Sequence, residues 1–240
     1  MSFEKFMRRL ANLETSSKSN SGNREPSAVE LQQRILEAIS DPFIWATRHA
    51  KTVNEHWVEE GRPFPHEHFP PHDYIRHIFD LLGEERVHWF EKSRDMMISW
   101  LCVAYLTLEA MKTPSRGVLF QTQKEDKVVG LIKYAKCLYK TQPEWLKEAF
   151  PLSKPIKKQA DLELSFQNGS YISGIPGGAD QIRSFHPWGY LNDESSFQSE
   201  AGECFNEALS VVKGKIIFNS SAGPSWYADA RRDIIRNEED

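Results

Sequence analysis

Apolar and polar positions follow two rhythms along the chain, and the switch between them divides it. From Ser27 to Ala50 apolar residues recur at helical spacing through Leu31, Ile35 and Ile39. Ser27 stands as an N-cap with Glu30 three residues on, and Pro42 breaks the run before a second helix. Residues 59–82 open as a Pro-rich loop and close as an amphipathic helix. Beyond Arg86 short β-like runs alternate with helical ones. The pattern predicts strands at 87–90 and 117–122, an apolar helix at 98–111, and an amphipathic helix at 124–141 with Val128, Leu131, Ile132, Ala135 and Leu138 on one side. Residues 162–177 read as a hairpin turning at Asn168-Gly169, followed by a strand at 189–192, a helix around 200–212 and a strand at 215–221. This β-α-β-α order predicts an α/β fold, a mostly parallel sheet flanked by helices, with a helical N-terminal extension.

The first 26 residues stand apart. Residues 2–13 can form a short helix, but 15–27 are rich in Ser, Asn and Gly and bury too little to order themselves, so 1–26 are expected to be a flexible segment. Residues 27–85 then form a helical region and 86–240 the core.

Composition narrows the classes. In 240 residues, 40% hydrophobic and 12% aromatic content supports a full core, and a net charge of −4 gives no global basic field, so any nucleic-acid contact must come from local patches. Lys154, Lys157 and Lys158 form one candidate patch for DNA phosphates, while a solvated charge run is the commoner fate of such a cluster. Cys102, Cys137 and Cys204 are scattered and odd in number, which points to reduced thiols. No secretory pattern opens the chain, and the longest apolar run, Ile98 to Ala110, is interrupted by Thr107 and Glu109 and too short for a bilayer, so a soluble intracellular protein is expected. His66, His68, His72 and His77 match no common zinc spacing and are assigned no metal.

Two stretches carry candidate chemistry. "EKSRDMMISW" (91–100) follows a strand and opens the apolar helix, with Lys92 and Arg94 as cations and Ser99 at the helix start. A phosphate-binding loop needs those parts: backbone amides at a strand-to-helix turn, a cation for the phosphates, and a hydroxyl for Mg²⁺. The glycines are missing, with Met97 where the second would stand, so the turn must be made without a residue free to adopt φ > 0, and Met96 and Met97 must pack away from a nucleotide. "WGYLNDESSF" (188–197) ends a strand in Asp193-Glu194, one carboxylate suited to hold a metal's waters and the other to take a proton from an attacking water. A lone Asp-Glu is more often a solvated turn. Here it follows a strand and precedes a third one ending in "NSSAGP" (219–224).

In this order the stretches resemble the ATPase domain of the large terminase subunit of tailed bacteriophages, over about residues 40–230. "KSRDMMISW" is similar to a variant Walker A loop, "GYLNDESSF" to Walker B, and "IIFNSSAGP" to the coupling motif. The resemblance implies a P-loop NTPase fold of the ASCE/RecA-like kind, Mg-dependent ATP hydrolysis, and translocation of double-stranded DNA into a procapsid. It implies phosphate binding by Lys92, Ser93, Arg94 and Ser99, Mg²⁺ at Ser99 and Asp193, catalysis by Glu194, and coupling by Ser220 and Ser221. Arg183, in a Gly-rich loop before Walker B, is a candidate arginine finger acting on a neighbour in a homo-oligomeric ring, or else a surface arginine. The portal protein, the procapsid and the small terminase subunit are the implied partners, and the cytoplasm of an infected bacterium the implied location. Phe64 or Tyr74 is a candidate cover for the adenine, with an aromatic pair packed on the core as the equal alternative. The C-terminal nuclease domain of such proteins is not present in this sequence. A superfamily-2-like helicase fragment and an inactive P-loop assembly module are the alternatives, and the joint presence of Lys92, Ser99, Asp193 and Glu194 favours the enzyme.

Overall fold

The N-terminal extension starts where its cap predicts. The computed structural model describes residues 27–93, 96–223 and 225–239, so the expectations for residues 1–26 and for Arg94 fall outside the described residues. Helix α1 (Ala28–Ser40) begins with a reciprocal capping box: Glu30 N donates to Ser27 Oγ (3.2 Å) and Ser27 N donates to Glu30 Oε2 (2.7 Å). Asp41 ends it and caps α2 (Pro42–Arg48), accepting from Phe43 N at 2.8 Å. The Pro-rich stretch is not all loop. Thr52–Val53 (β1) and His66–Glu67 (β2) pair as a small antiparallel ribbon before α3 (Asp73–Glu84).

The core then alternates as the pattern predicts: β3 (Val87–Glu91), α4 (Ile98–Lys112), β4 (Gly117–Gln121) and α5 (Glu125–Thr141). Next come a short α6 (Glu144–Ala149), the hairpin β5 (Glu163–Ser165) and β6 (Tyr171–Ile175), and one turn of helix, α7 (Asp180–Arg183). The chain continues through β7 (Gly189–Asp193), α8 (Ala201–Val211), β8 (Lys215–Ser220) and α9 (Trp226–Glu239). The six-stranded sheet has the order β3-β8-β7-β4-β6-β5, parallel throughout except for β5. Asn168-Gly169 lie in a longer hairpin loop than a tight two-residue turn. Asn168 Nδ2 donates to the carbonyls of Ala110 (3.1 Å) and Met111 (3.0 Å), satisfying orphan acceptors at the end of α4.

Strands β4, β7 and β8 are buried along their whole length, as parallel strands covered on both faces must be. Successive side chains divide between two cores. Phe120, Leu191 and Ile217 pack with α4, α5 and the N-terminal helices, while Leu119, Tyr190, Ile216 and Phe218 pack with α8 and α9. Helix α4 is the central pillar, with thirteen of its fifteen residues buried. Its one buried carboxylate, Glu109, is neutralised by Lys112 at 2.6 Å and by Arg116. No helix among the described residues is long and apolar enough to cross a membrane.

Two glycines test the packing between α5 and the sheet. A Cβ on Gly174 would lie 2.3 Å from Val128 Cγ1 and 2.9 Å from Leu162 Cδ2, whereas one on Gly130, on α5, meets nothing within 4 Å. Gly174→Ala is expected to cost roughly 1–3 kcal/mol by overpacking, and Gly130→Ala to gain about 0.5–1 kcal/mol of helix stability. Urea midpoints should therefore move in opposite directions, and a shared direction would mean the interface is looser than the contacts imply.

Candidate active site

The parallel strands bring their C-terminal ends level, with Glu91 opposite Ser220 and Asp193 opposite Asn219. A crevice beyond the C-terminal ends is where open α/β sheets bind ligands. Lys92 extends the pairing by one residue, its N–H donating to Ser220 O at 3.0 Å, before the chain turns into α4. Its side chain folds back so that Nζ donates to Ser99 Oγ at 2.7 Å. Ser99 Oγ in turn donates to Asp193 Oδ1 at 3.0 Å, with Lys92 Nζ 3.6 Å from the same oxygen. Residues far apart in sequence thus converge at the N-terminus of a fifteen-residue helix, where free amides and the helix dipole favour an anion. Burial pushes the Asp193 carboxyl above the usual carboxylate range, against the opposing pull of the Lys92 charge and the Ser99 hydroxyl.

The missing glycine is replaced in conformation but not in kind. Met97, the N-cap of α4, adopts φ 56° and ψ 11°, the left-handed geometry that a glycine would take without cost. Its side chain packs partly on the core, and both Met96 and Met97 also line the cleft instead of turning away from it. Glu194 is left-handed too, at φ 58° and ψ 41°. Its amide donates to Asp193 Oδ1 at 3.1 Å, and its carboxylate pairs with Lys127 Nζ at the start of α5.

The cleft has a volume of about 1140 Å³ and is also lined by Thr52, Val53 and Glu67 of the β1–β2 ribbon and by Asn54 to His56 after β1. That size admits a nucleoside triphosphate. Trp100 and Tyr134, stacked at 3.8 Å, line it together with Phe197. Phe64 is 72% exposed, and Tyr74 lies against His72 at 5.8 Å; neither lines the cleft.

Of the sequence-predicted residues, Lys92, Ser93, Ser99 and Glu194 line the cleft, with Asp193 directly behind Ser99. Arg94 lies outside the described residues. The two coupling serines separate: Ser221 lines the cleft, while Ser220 is fully buried and its Oγ accepts from Ser196 N at 3.0 Å, just past Glu194. Arg183 lies outside the cleft, paired on the surface with Glu207 at 2.5 Å and Asp180 at 3.3 Å. Lys154, Lys157 and Lys158 are exposed and also outside it. Lys127 is the residue that sequence reasoning missed, since its place beside Glu194 follows from β4 lying next to β7, a neighbourhood that no local pattern encodes.

No protein-family model matches the chain, and no curated protein matches it. Among solved structures it is similar to the large terminase of bacteriophage HK97, with a TM-score of 0.59 at 9% identity over 84% of this chain and 42% of that one. Two structures of the large terminase ATPase domain of Thermus phage P74-26, one of them a mutant, align with TM-scores of 0.47 and 0.45 at 15% and 12% identity. Each alignment covers 67% of this chain and 69% of the other. The chain therefore shares its fold with a phage large terminase, as the sequence resemblance implies, and spans less than half the length of the HK97 protein.

The left-handed Met97 generates a direct test. Met97→Ile keeps an apolar side chain but adds a β-branch that this geometry tolerates poorly, so it is expected to be about 1–2 kcal/mol less stable than Met97→Gly in chemical denaturation. A less stable glycine variant would show that side-chain contacts, not backbone geometry, decide the residue.

Proposed function

We propose that this chain is the ATP-hydrolysing motor domain of a phage DNA-packaging terminase large subunit, acting on double-stranded DNA at a procapsid. The observation that carries this reading is the convergence of Lys92, Ser99 and Asp193 at the start of α4 with Glu194 beside them. In this reading Lys92 leaves Asp193 to neutralise the β- and γ-phosphates of ATP, and the first amides of α4 bind phosphate oxygens.

Ser99 Oγ and Asp193 Oδ1 are hard oxygen donors 3.0 Å apart, and the ammonium of Lys92 already rests against both. That donor set and its tolerance of a cation fit Mg²⁺, with Ser99 as a ligand and Asp193 holding the metal's waters. Bound there, Mg²⁺ supplies further neutralisation of phosphate charge. Glu194 accepts a proton from the attacking water as the bond between the γ-phosphorus and the bridging oxygen breaks, leaving ADP and phosphate. To do so its carboxylate must part from Lys127. Ser221 lines the cleft and Ser220 ties the end of β8 to the turn after Glu194, which suits the pair to report loss of the γ-phosphate.

Arg183 serves a neighbouring subunit in this reading, because its surface position excludes it from the cleft of its own chain. The ring that brings it there, the portal protein and the small terminase subunit are the proposed partners.

Lys92→Ala and Ser99→Ala are each expected to weaken Mg-ATP binding in calorimetric titration, and unchanged affinity in both would remove the loop from the site. Glu194→Gln should bind ATP as wild type while hydrolysis falls roughly 10²–10⁴-fold; wild-type turnover in that variant would overturn its role. Mixing Arg183→Ala chains with Glu194→Gln chains should restore part of the lost activity, since some interfaces then join an intact arginine to an intact base. No restoration in mixtures shown to co-assemble would leave Arg183 a surface residue.

A further inference from the structure

Behind the Asp193–Glu194 turn, on the sheet face away from α4, lies a connected set of buried polar side chains that the proposed chemistry does not use. Gln121, Tyr190 and Asn192 are fully buried and Ser195 is 1% exposed. Gln198 Nε2 donates to Asn192 Oδ1 at 2.7 Å and to the backbone carbonyl of Asp193 at 2.8 Å. Ser195 Oγ donates to Asn192 Oδ1 at 2.8 Å, and Asn192 Nδ2 donates to Tyr190 Oη at 2.9 Å. Tyr190 Oη donates to Gln121 Oε1, and Gln121 Nε2 reaches the carbonyls of Pro176 (2.6 Å) and Gly178 (2.9 Å) in the loop after β6.

Burying three amides gains little stability over apolar residues of the same shape, because each exchanges hydrogen bonds with water for hydrogen bonds within the protein. What a fully satisfied network provides is a fixed geometry. The geometry in question is unusual, since Glu194 sits in the left-handed region, which costs a non-glycine residue about 1–3 kcal/mol and persists only where its surroundings hold it. Gln198 grips the carbonyl on the N-terminal side of Glu194, and Ser195, bound to Asn192, fixes the residue on its C-terminal side.

We propose that Gln198, Asn192 and Gln121 are positioning residues for Glu194. They hold its left-handed turn so that the carboxylate meets the attacking water, and through Gln121 they tie that orientation to the Pro176–Gly178 loop. The proposal rests on the reading of Glu194 as the base. None of the three lines the cleft, so their removal leaves the ligand contacts intact and acts through the angle of Glu194.

The test uses the full chain and compares Gln198→Met and Gln121→Met, which keep length and lose the hydrogen bonds, with Glu194→Gln. Thermal stability, Mg-ATP dissociation constant and kcat are measured for each. Gln198→Met is expected to lower kcat roughly 10–100-fold, the scale of a misplaced catalytic group, at unchanged dissociation constant. Gln121→Met should lower kcat less, again with unchanged binding. A purely structural network would lower stability in both variants and leave kcat per folded chain at the wild-type value, which would overturn the proposal. Glu194→Gln separates the two levels. If it is slow while Gln198→Met runs at the wild-type rate, this inference falls and the ATPase reading stands; if it hydrolyses like wild type, or the wild-type chain does not hydrolyse ATP, both fall. Should Gln121→Met not fold, the half-buried Gln198 carries the test alone. Gln198→Glu then serves as its second variant, keeping the side-chain length while losing the donor to Asp193 O, with the same fall in kcat expected.

Discussion

The insertion of β8 between β3 and β7 is the constraint on which the rest of the structure depends. It sets the strand that delivers Lys92 and the strand that delivers Asp193 two strand spacings apart, about 9–10 Å. Neither residue's backbone can approach the other, so side chains close the gap: Lys92 Nζ reaches to 3.6 Å from Asp193 Oδ1, and α4 adds a bridging hydroxyl from above. Ser99, in the first turn of that helix, lies between the two and bonds to both. The requirement explains why α4 is buried nearly all round: a helix that must start in one place over the sheet is held there by contacts on every side. It also gives β8 its role, for the strand that separates the two chemical ends supplies Ser220 beneath the turn after Glu194.

Residues at the ends of regular elements were legible in the sequence. Lys92, Asp193 and Glu194 sit where an apolar strand gives way to polar text, Ser99 sits where polar text gives way to the apolar helix, and the Ser27–Glu30 box is a purely local signal. Strand order is not local. The partnership of Lys127 with Glu194 was therefore invisible, as was the β1–β2 ribbon, whose two-residue strands are too short for any periodicity. Phe64 shows the opposite failure: the resemblance made it a candidate cover for the adenine, and the loop carries it into solvent instead. At Met97 the sequence implies a turn made without a residue free to adopt positive φ, yet the methionine itself takes the left-handed geometry.

Three non-glycine residues among those described have positive φ, and two of them, Met97 and Glu194, border the cleft. Each is restrained by a different means. Met97 is anchored through its own side chain on the core, whereas Glu194 has its carboxylate exposed to the cleft and depends on the polar groups behind it. One backbone outlier is tied to packing and the other to hydrogen bonding.

Lys92 rests on Asp193 and Lys127 on Glu194, so each of these two carboxylates has a cationic partner. Selectivity follows from this arithmetic of charge. A bare anion that draws the lysines to itself strips two carboxylates of their partners, one of them buried, and that loss offsets much of the attraction it gains. An anion that arrives with its own cation exchanges partners at the buried pair instead, Lys92 to the anion and Asp193 to the cation, so the buried carboxylate keeps a positive neighbour. In the proposed reading the same ion pairs would therefore favour a ligand that brings its own cation over a bare anion.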